Sequence, residues 1–147
     1  MRSKQEEEKE LKVTFQSKKV YNCPACDTSF NKEELLSGGG RLIAGQLTDE
    51  LHRLYEPSAK YGVIFPLIYQ SIVCPDCWFA SMESDFSLLP QDKRAKAENE
   101  TEIRKKKASL IFPDVDFTEN RNLMDGAASQ YLTLLVMIIT VNQLHLQ

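Results

Sequence analysis

The first ten residues of the chain are almost all polar, which predicts a frayed helix or a disordered tail. Leu11, Val13 and Phe15 then alternate with polar residues, the period of a strand that buries one face. Val20 and Tyr21 lead into a Cys-Pro-x-Cys, from Cys23 to Cys26, and Ser29 and Phe30 leave it. The run from Asn31 to Leu35 has the form of a cap followed by a short helical turn. Ser37 to Gly40, a serine and three glycines, predicts a flexible break. Residues 41–73 read as mostly extended. Leu42, Ile43 and Leu47 predict one strand. Glu56, Pro57 and Ser58 predict a turn, because proline restricts the residue before it and cannot join a central ladder. Tyr69 to Val73 is rich in aromatic and β-branched residues and runs into a second Cys-Pro-x-Cys, from Cys74 to Cys77. Each cysteine pair thus follows a strand-like segment.

From Asp85 the texture changes. Pro90 stands where a helix starts, since its missing N–H matters little there. Between Gln91 and Leu110 the pairs Asp92/Lys96, Glu100/Arg104 and Glu102/Lys106 sit at i, i+4 and support a solvated helix. Its apolar positions, Ala95, Ile103 and Leu110, predict packing on one narrow edge, and Pro113 ends it. Asp116 precedes Glu119 by three, the spacing of a capping box. Leu123, Ala127, Tyr131, Leu134 and Ile138 follow at helical spacing, and Gly126, Ala127 and Ala128 would let another helix approach closely. Leu132, Leu135, Val136, Ile139 and Val141 extend the apolar surface almost all round. A helix of that kind is normally buried on every side.

Composition narrows the setting. The chain has 147 residues, enough for one domain with an appended helical piece, and at 42% apolar it can bury a core. A net charge of −3 and a pI near 5.5 argue against a nucleic-acid binder working through global charge. No apolar signal-peptide core follows Met1, and the stretch from Tyr131 to Val141 falls well short of the roughly 20 residues of a membrane span. The expected location is cytoplasmic and reducing, where paired cysteines bind metal or do redox work more often than they form structural disulfides.

The four cysteines carry the clearest chemistry, and 47 residues separate Cys26 from Cys74. Two cysteines spaced by two residues present both sulfurs from one tight turn. Proline after the first fixes the backbone, and neighbouring N–H groups can donate to the thiolates. Two such turns complete a tetrahedral site for zinc, at about 2.3 Å per Zn–S bond, and clamp two hairpins into a zinc ribbon. The gap is longer than the usual interval of about 15–20 residues, but loop-closure entropy grows slowly with length. A rubredoxin-type iron centre uses the same four ligands, and the spacing does not choose between the metals. A dithiol redox role also stays open, although neither pair opens a long helix. The resulting expectation is an α+β fold: a charged segment over 1–17, a zinc-ribbon-like domain over 18–90 and a helical extension over 91–147.

The stretches "YNCPACDTSF" and "FPLIYQSIVCPDCWFASMESDF" resemble a bacterial family of uncharacterised proteins. Its members have a zinc-ribbon-like region with paired CPxC motifs, followed by tetratricopeptide-like helices. The resemblance covers residues 18–90 and continues through "ENRNLMDGAASQYLTLL". It implies metal ligation by Cys23, Cys26, Cys74 and Cys77, and it implies no activity. Family knuckles commonly carry glycine after the second cysteine, where this chain has Asp27 and Trp78. Trp is penalised at positive φ, so the second knuckle is distorted or Trp78 packs over the site. Family members also run on through further helices beyond the point where this sequence stops.

Other candidates read as structural. His52 sits among charged residues, and His145 is the other histidine. Gly38 to Arg41 lacks the Lys-Ser/Thr end of a phosphate loop. Arg104 to Lys107 would point to all sides of a helix and read as a solvated face. Tyr61, Phe65, Tyr69, Trp78 and Phe79 read as packing around the second knuckle. The leading expectation is a non-enzymatic, zinc-stabilised module that meets a protein partner or a second copy through its C-terminal helix. A nucleic-acid-binding zinc ribbon and a thiol-redox or rubredoxin-like protein are the alternatives.

Overall fold

The computed structural model of the chain describes residues 12–36 and 38–141. The expected polar tail, the part of Leu11 in the first strand, Ser37 and His145 lie outside these residues. The described elements are β1 (Thr14–Asn22), β2 (Ser29–Leu35), β3 (Ile43–Leu47), β4 (Arg53–Glu56), a 3-10 turn (Pro66–Tyr69), β5 (Ser71–Val73), β6 (Ala80–Met82), a second 3-10 turn (Gln91–Lys93), α1 (Arg94–Asn99), α2 (Thr101–Ile111) and α3 (Leu123–Val141). The strands pair as β1–β2, β3–β4 and β5–β6, which makes the class α+β. The chain forms two compact units. One is built from Leu35–Ile64 with the described residues up to Phe15, and the other from Gln16–Glu34 with the described residues from Phe65 onward.

The first unit centres on the antiparallel β3–β4 hairpin, with Ile43 opposite Glu56, Ala44 opposite Tyr55 and Leu47 opposite Arg53, and an irregularity between Ala44 and Leu47. The sequence marked β3 through Leu42, Ile43 and Leu47 but gave no sign of β4. Arg53–Glu56 has adjacent rather than alternating apolar residues, and all four are exposed. Ser58 and Gly62 exchange backbone hydrogen bonds just past Pro57, where the turn was expected.

The second unit contains both cysteine pairs. The run from Asn31 to Leu35 is not the helical turn its sequence suggests; it is strand β2. The tight turn at Cys23 to Thr28 reverses the chain, and β2 then pairs with β1. Asn31 does not cap a helix: its Nδ2 donates to the carbonyls of Ser17 (2.9 Å) and Lys19 (3.2 Å) on β1. Ladder pairing here overrides a weak local preference. In β1 only Thr14 and Tyr21 are buried, while Phe15 is exposed, so the expected alternation does not mark the buried face. Strands β5 and β6 are antiparallel, with Ser71 opposite Met82 and Val73 opposite Ala80, and all of β5 is buried. Tyr21, Ile72, Phe79, Phe86 and Val136 pack with the cysteines in one cluster. Val73, Ala80, Ala108 and Leu132 form a second, flanked by Trp78, Phe117 and Tyr131.

The helical part corrects the sequence in three places. The expected helix over 91–110 is broken at Glu100 (φ −86°, ψ 4°) into α1 and α2. Its buried edge is Lys93, Ala97, Arg104 and Ala108, whereas Ala95, Ile103 and Leu110 face solvent. The capping box lies not at Asp116 and Glu119 but at Asn122 and Asp125. The Asn122 side chain accepts from the Asp125 N–H (2.9 Å), and the Asp125 carboxylate accepts from the Asn122 N–H (3.1 Å). Finally, α3 packs on β5 and β6 and also against α1 and α2, burying Ala128, Ser129, Leu132, Thr133, Val136 and Ile139, while Leu123, Leu134 and Ile138 are exposed. Thr133 Oγ1 donates to the Ser129 carbonyl at 2.9 Å and lies 3.0 Å from Ser71 Oγ, so the hydroxyl is buried without loss of partners. The short β5–β6 sheet thus covers one face of a helix that α2 alone could not cover. Among the described residues no helix is long and apolar enough to cross a membrane.

Candidate metal centre

The two cysteine turns share one hydrogen-bond pattern. In the first, the Cys23 N–H donates to the Thr28 carbonyl (2.9 Å) and the Asp27 N–H to the Cys23 carbonyl (2.9 Å). In the second, the Cys74 N–H donates to the Phe79 carbonyl (2.8 Å) and the Trp78 N–H to the Cys74 carbonyl (3.0 Å). Asp27 (φ 64°) and Trp78 (φ 57°) both take the left-handed conformation that closes the turn. The second knuckle is therefore regular despite its tryptophan. The indole instead packs edge-on against Phe117, with ring centroids 5.2 Å apart and Lys105 Nζ 5.7 Å from the ring centre.

Strands β1 and β5 deliver the first cysteine of each pair, and the turns bring all four sulfurs together. Cys23 and Cys77 lie 3.5 Å apart, Cys26 and Cys74 3.6 Å apart, and all four Sγ atoms fall within 4.8 Å of one another. These separations are too long for a disulfide, whose S–S bond is about 2.05 Å. They fit the edge of a tetrahedron of sulfurs around a central ion, about 3.8 Å for metal–sulfur bonds of about 2.3 Å. Cys23, Cys74 and Cys77 are buried and Cys26 is partly exposed. The set can hold one metal ion with four sulfur ligands.

The backbone is prepared for negative sulfur. The Cys26 N–H donates to Cys23 Sγ, those of Asp76 and Cys77 to Cys74 Sγ, and that of Phe79 to Cys77 Sγ. The thiols of Cys23 and then Cys77, donating to Cys74, hold it well below the ordinary thiol range. Cys23 is pushed up by its hydrogen bonds to Cys74 and Cys77 and then by burial. A bound ion would draw the thiol protons off. Around the sulfurs, Cys26 Sγ contacts Thr28 Oγ1 at 3.1 Å, and Thr28 Oγ1 donates to Asp76 Oδ2 at 3.3 Å, linking one turn to the other. Arg94 pairs with Asp27.

Arg104 is the residue that sequence reasoning misplaced. It belongs to the basic run expected to be solvated, yet it is 3% exposed and donates to the carbonyls of Cys77 (2.8 Å), Trp78 (3.2 Å) and Ala97 (2.9 Å). A buried arginine in a KKK-flanked helix leaves no trace in periodicity. Its spacing of seven from Ala97 was the only available sign. Other candidates stay apart from this chemistry. His52 is exposed. Arg41 donates to the Gly38 carbonyl (2.7 Å) and lies over the Tyr61 ring, so the glycine loop closes on itself. Phe79 is core, while Phe65 is exposed.

No solved structure matches the chain. An uncharacterized protein of Borreliella burgdorferi is 40% identical over 124 residues, covering 84% of this chain and 44% of that protein. The chain thus spans less than half the length of this curated relative. The sequence over residues 16–145 also matches the family described as "Uncharacterized protein conserved in bacteria (DUF2225)". Since that match takes in both cysteine turns and all three helices, the chain belongs to the bacterial DUF2225 family.

Proposed function

We propose that this chain is a zinc-binding, non-enzymatic interaction module of the cytoplasm. The observation that carries the reading is the set of four convergent sulfurs. Zinc is favoured over iron by its common use of four thiolates in closed structural sites. Cys23, Cys26, Cys74 and Cys77 would hold the ion and close the tetrahedron, leaving no coordination position for a substrate or water. That is the ground for reading no catalysis into the site. Zinc would supply folding free energy, because the β1–β2 and β5–β6 hairpins are too small to stand easily alone. The interaction role rests on α3, whose Leu134 is 60% exposed beside exposed Leu123, Met137 and Ile138. A protein partner, a second copy or the tetratricopeptide-like helices implied by the resemblance would cover that stripe. Nucleic acid is disfavoured, since the basic run loses Arg104 to the interior and the pI is near 5.5.

The test is elemental analysis of protein purified without added metal, together with thiol titration. One tightly held zinc per chain and thiols that react only after chelation are expected. Well under one metal per chain in a folded protein with four reactive thiols would overturn the reading. A red, iron-loaded form would replace it with the rubredoxin-like alternative.

A further inference from the structure

We propose that Arg104 is a positioning residue for the metal centre, orienting two successive peptides of the second knuckle and balancing the charge of the loaded site. The inference rests on the metal-site reading above. The Trp78 carbonyl accepts from Arg104 Nε, and the N–H of the same peptide, on Phe79, donates to Cys77 Sγ. The Cys77 carbonyl accepts from Arg104 Nη2 at 2.8 Å, and the N–H of that peptide, on Trp78, closes the turn onto the Cys74 carbonyl. One guanidinium therefore grips the oxygen side of two peptides whose N–H sides serve a sulfur and the knuckle itself. Hydrogen bonds chained through a peptide polarise one another.

The charge points the same way. The four acceptors of Arg104 are neutral: the carbonyls of Cys77, Trp78 and Ala97, and Thr101 Oγ1. A buried cation held only by dipoles is expensive unless an opposite charge lies nearby. Four thiolates around a divalent ion carry a net charge of about −2. The loaded centre and the buried guanidinium complement each other in a way that neither achieves alone. Thr101 aims the side chain, accepting from Nη2 at 3.2 Å while donating to the Glu98 carbonyl at 2.7 Å.

The experiment loads the full chain with zinc and, separately, with cobalt(II). It measures release into excess chelator and the thiolate-to-cobalt charge-transfer band. Arg104→Gln should weaken metal binding about 10–100-fold, the range for outer partners of metal ligands, and shift the band. Arg104→Lys, which keeps the charge but not the fork, should fall between Gln and the parent. Thr101→Val should speed release less than either, and the exposed Lys106→Gln should leave it unchanged. Parent-like release and an unshifted band in folded Arg104→Gln would overturn the proposal. If Arg104→Gln does not fold, parent-like release in both Arg104→Lys and Thr101→Val would do the same. Failure of the parent chain to bind either metal would instead defeat the underlying metal-site reading.

Discussion

Asp27 and Trp78 occupy the same backbone position in the two knuckles, and their side chains make it tolerable in different ways. A non-glycine residue in the left-handed region gives up roughly 1–2 kcal/mol. Asp27 faces solvent and gains a pair with Arg94. Trp78 gains an edge-to-face contact with Phe117, worth about 0.5–1.5 kcal/mol beyond area burial, and a half-buried indole besides. Glycine at position 78 would relieve the backbone yet forfeit more than it relieves. Trp78→Gly should therefore destabilise by about 1 kcal/mol or more, and Asp27→Gly should shift stability less. Urea unfolding of the two variants checks the order, and a stabilised Trp78→Gly would reverse it.

Tyr21 gives a pH prediction at the same scale. Burial, and then its hydrogen bond to Glu83 at 2.9 Å, raise the phenol to about 12. The folded value lies above the unfolded one of about 10, so the contribution to stability is full below about pH 10 and is lost as pH rises towards about 12. Glu83 is lowered by Lys32 and then by Tyr21, so its contribution holds above about pH 4.3 and is lost as pH falls through its folded value. Tyr21→Phe should flatten the alkaline limb of stability against pH, measured by urea unfolding. An alkaline limb unchanged in the variant would count against this account. At this scale the four cysteines were fully legible, because repeated spacing encodes their chemistry directly. Arg104 was not, because burial of one charged residue depends on carbonyls 26 and 27 residues away in sequence.

Among the elements, α3 shows why a helix can be legible while its orientation is not. Its strongest apolar stripe, Leu123, Leu134 and Ile138, lies outward, and its buried stripe includes Ser129 and Thr133. Period alone assigns the larger side chains to the core. The sheet partner decided otherwise, since Ser71 offers Thr133 a hydroxyl and Ile68 requires the absence of a side chain at Gly126. A Cβ at Gly126 would stand 2.2 Å from Ile68 Cβ and 3.1 Å from its Cα. Alanine normally gains up to about 1 kcal/mol over glycine in a helix, but overpacking of this kind removes about 1–3 kcal/mol. Gly126→Ala should therefore lower the melting temperature, and a rise would show that the 3-10 turn yields easily. Asn122→Ala should lose about 0.5–2 kcal/mol, the range for an N-cap. The same substitution at Asp116 serves as a comparison for the box that sequence spacing favoured.

For the molecule as a whole, breaking the four-cysteine set is the decisive perturbation. If the proposed metal reading holds, Cys74→Ser should lose the bound ion and loosen the fold, seen as a lower and broader thermal transition with faster amide exchange in β5 and β6. A variant that melts like the parent would separate the cysteines from stability. Cutting the chain after Pro113 should not yield a sound ribbon, because Leu132 and Val136 of α3 belong to the clusters that hold Ala80 and Ile72. The α+β class was legible from pattern alone. The separate compact unit, which joins Leu35–Ile64 to the described residues up to Phe15, was not, since β4 has no alternation to reveal it. The interval between the cysteine pairs has a consequence in time. At about 5–20 residues per second of synthesis, the 47 residues between Cys26 and Cys74 delay the second turn by roughly 2–10 s. For those seconds the nascent chain presents two thiols without their counterparts. Any metal that meets the chain in that interval finds only half of the four-sulfur set.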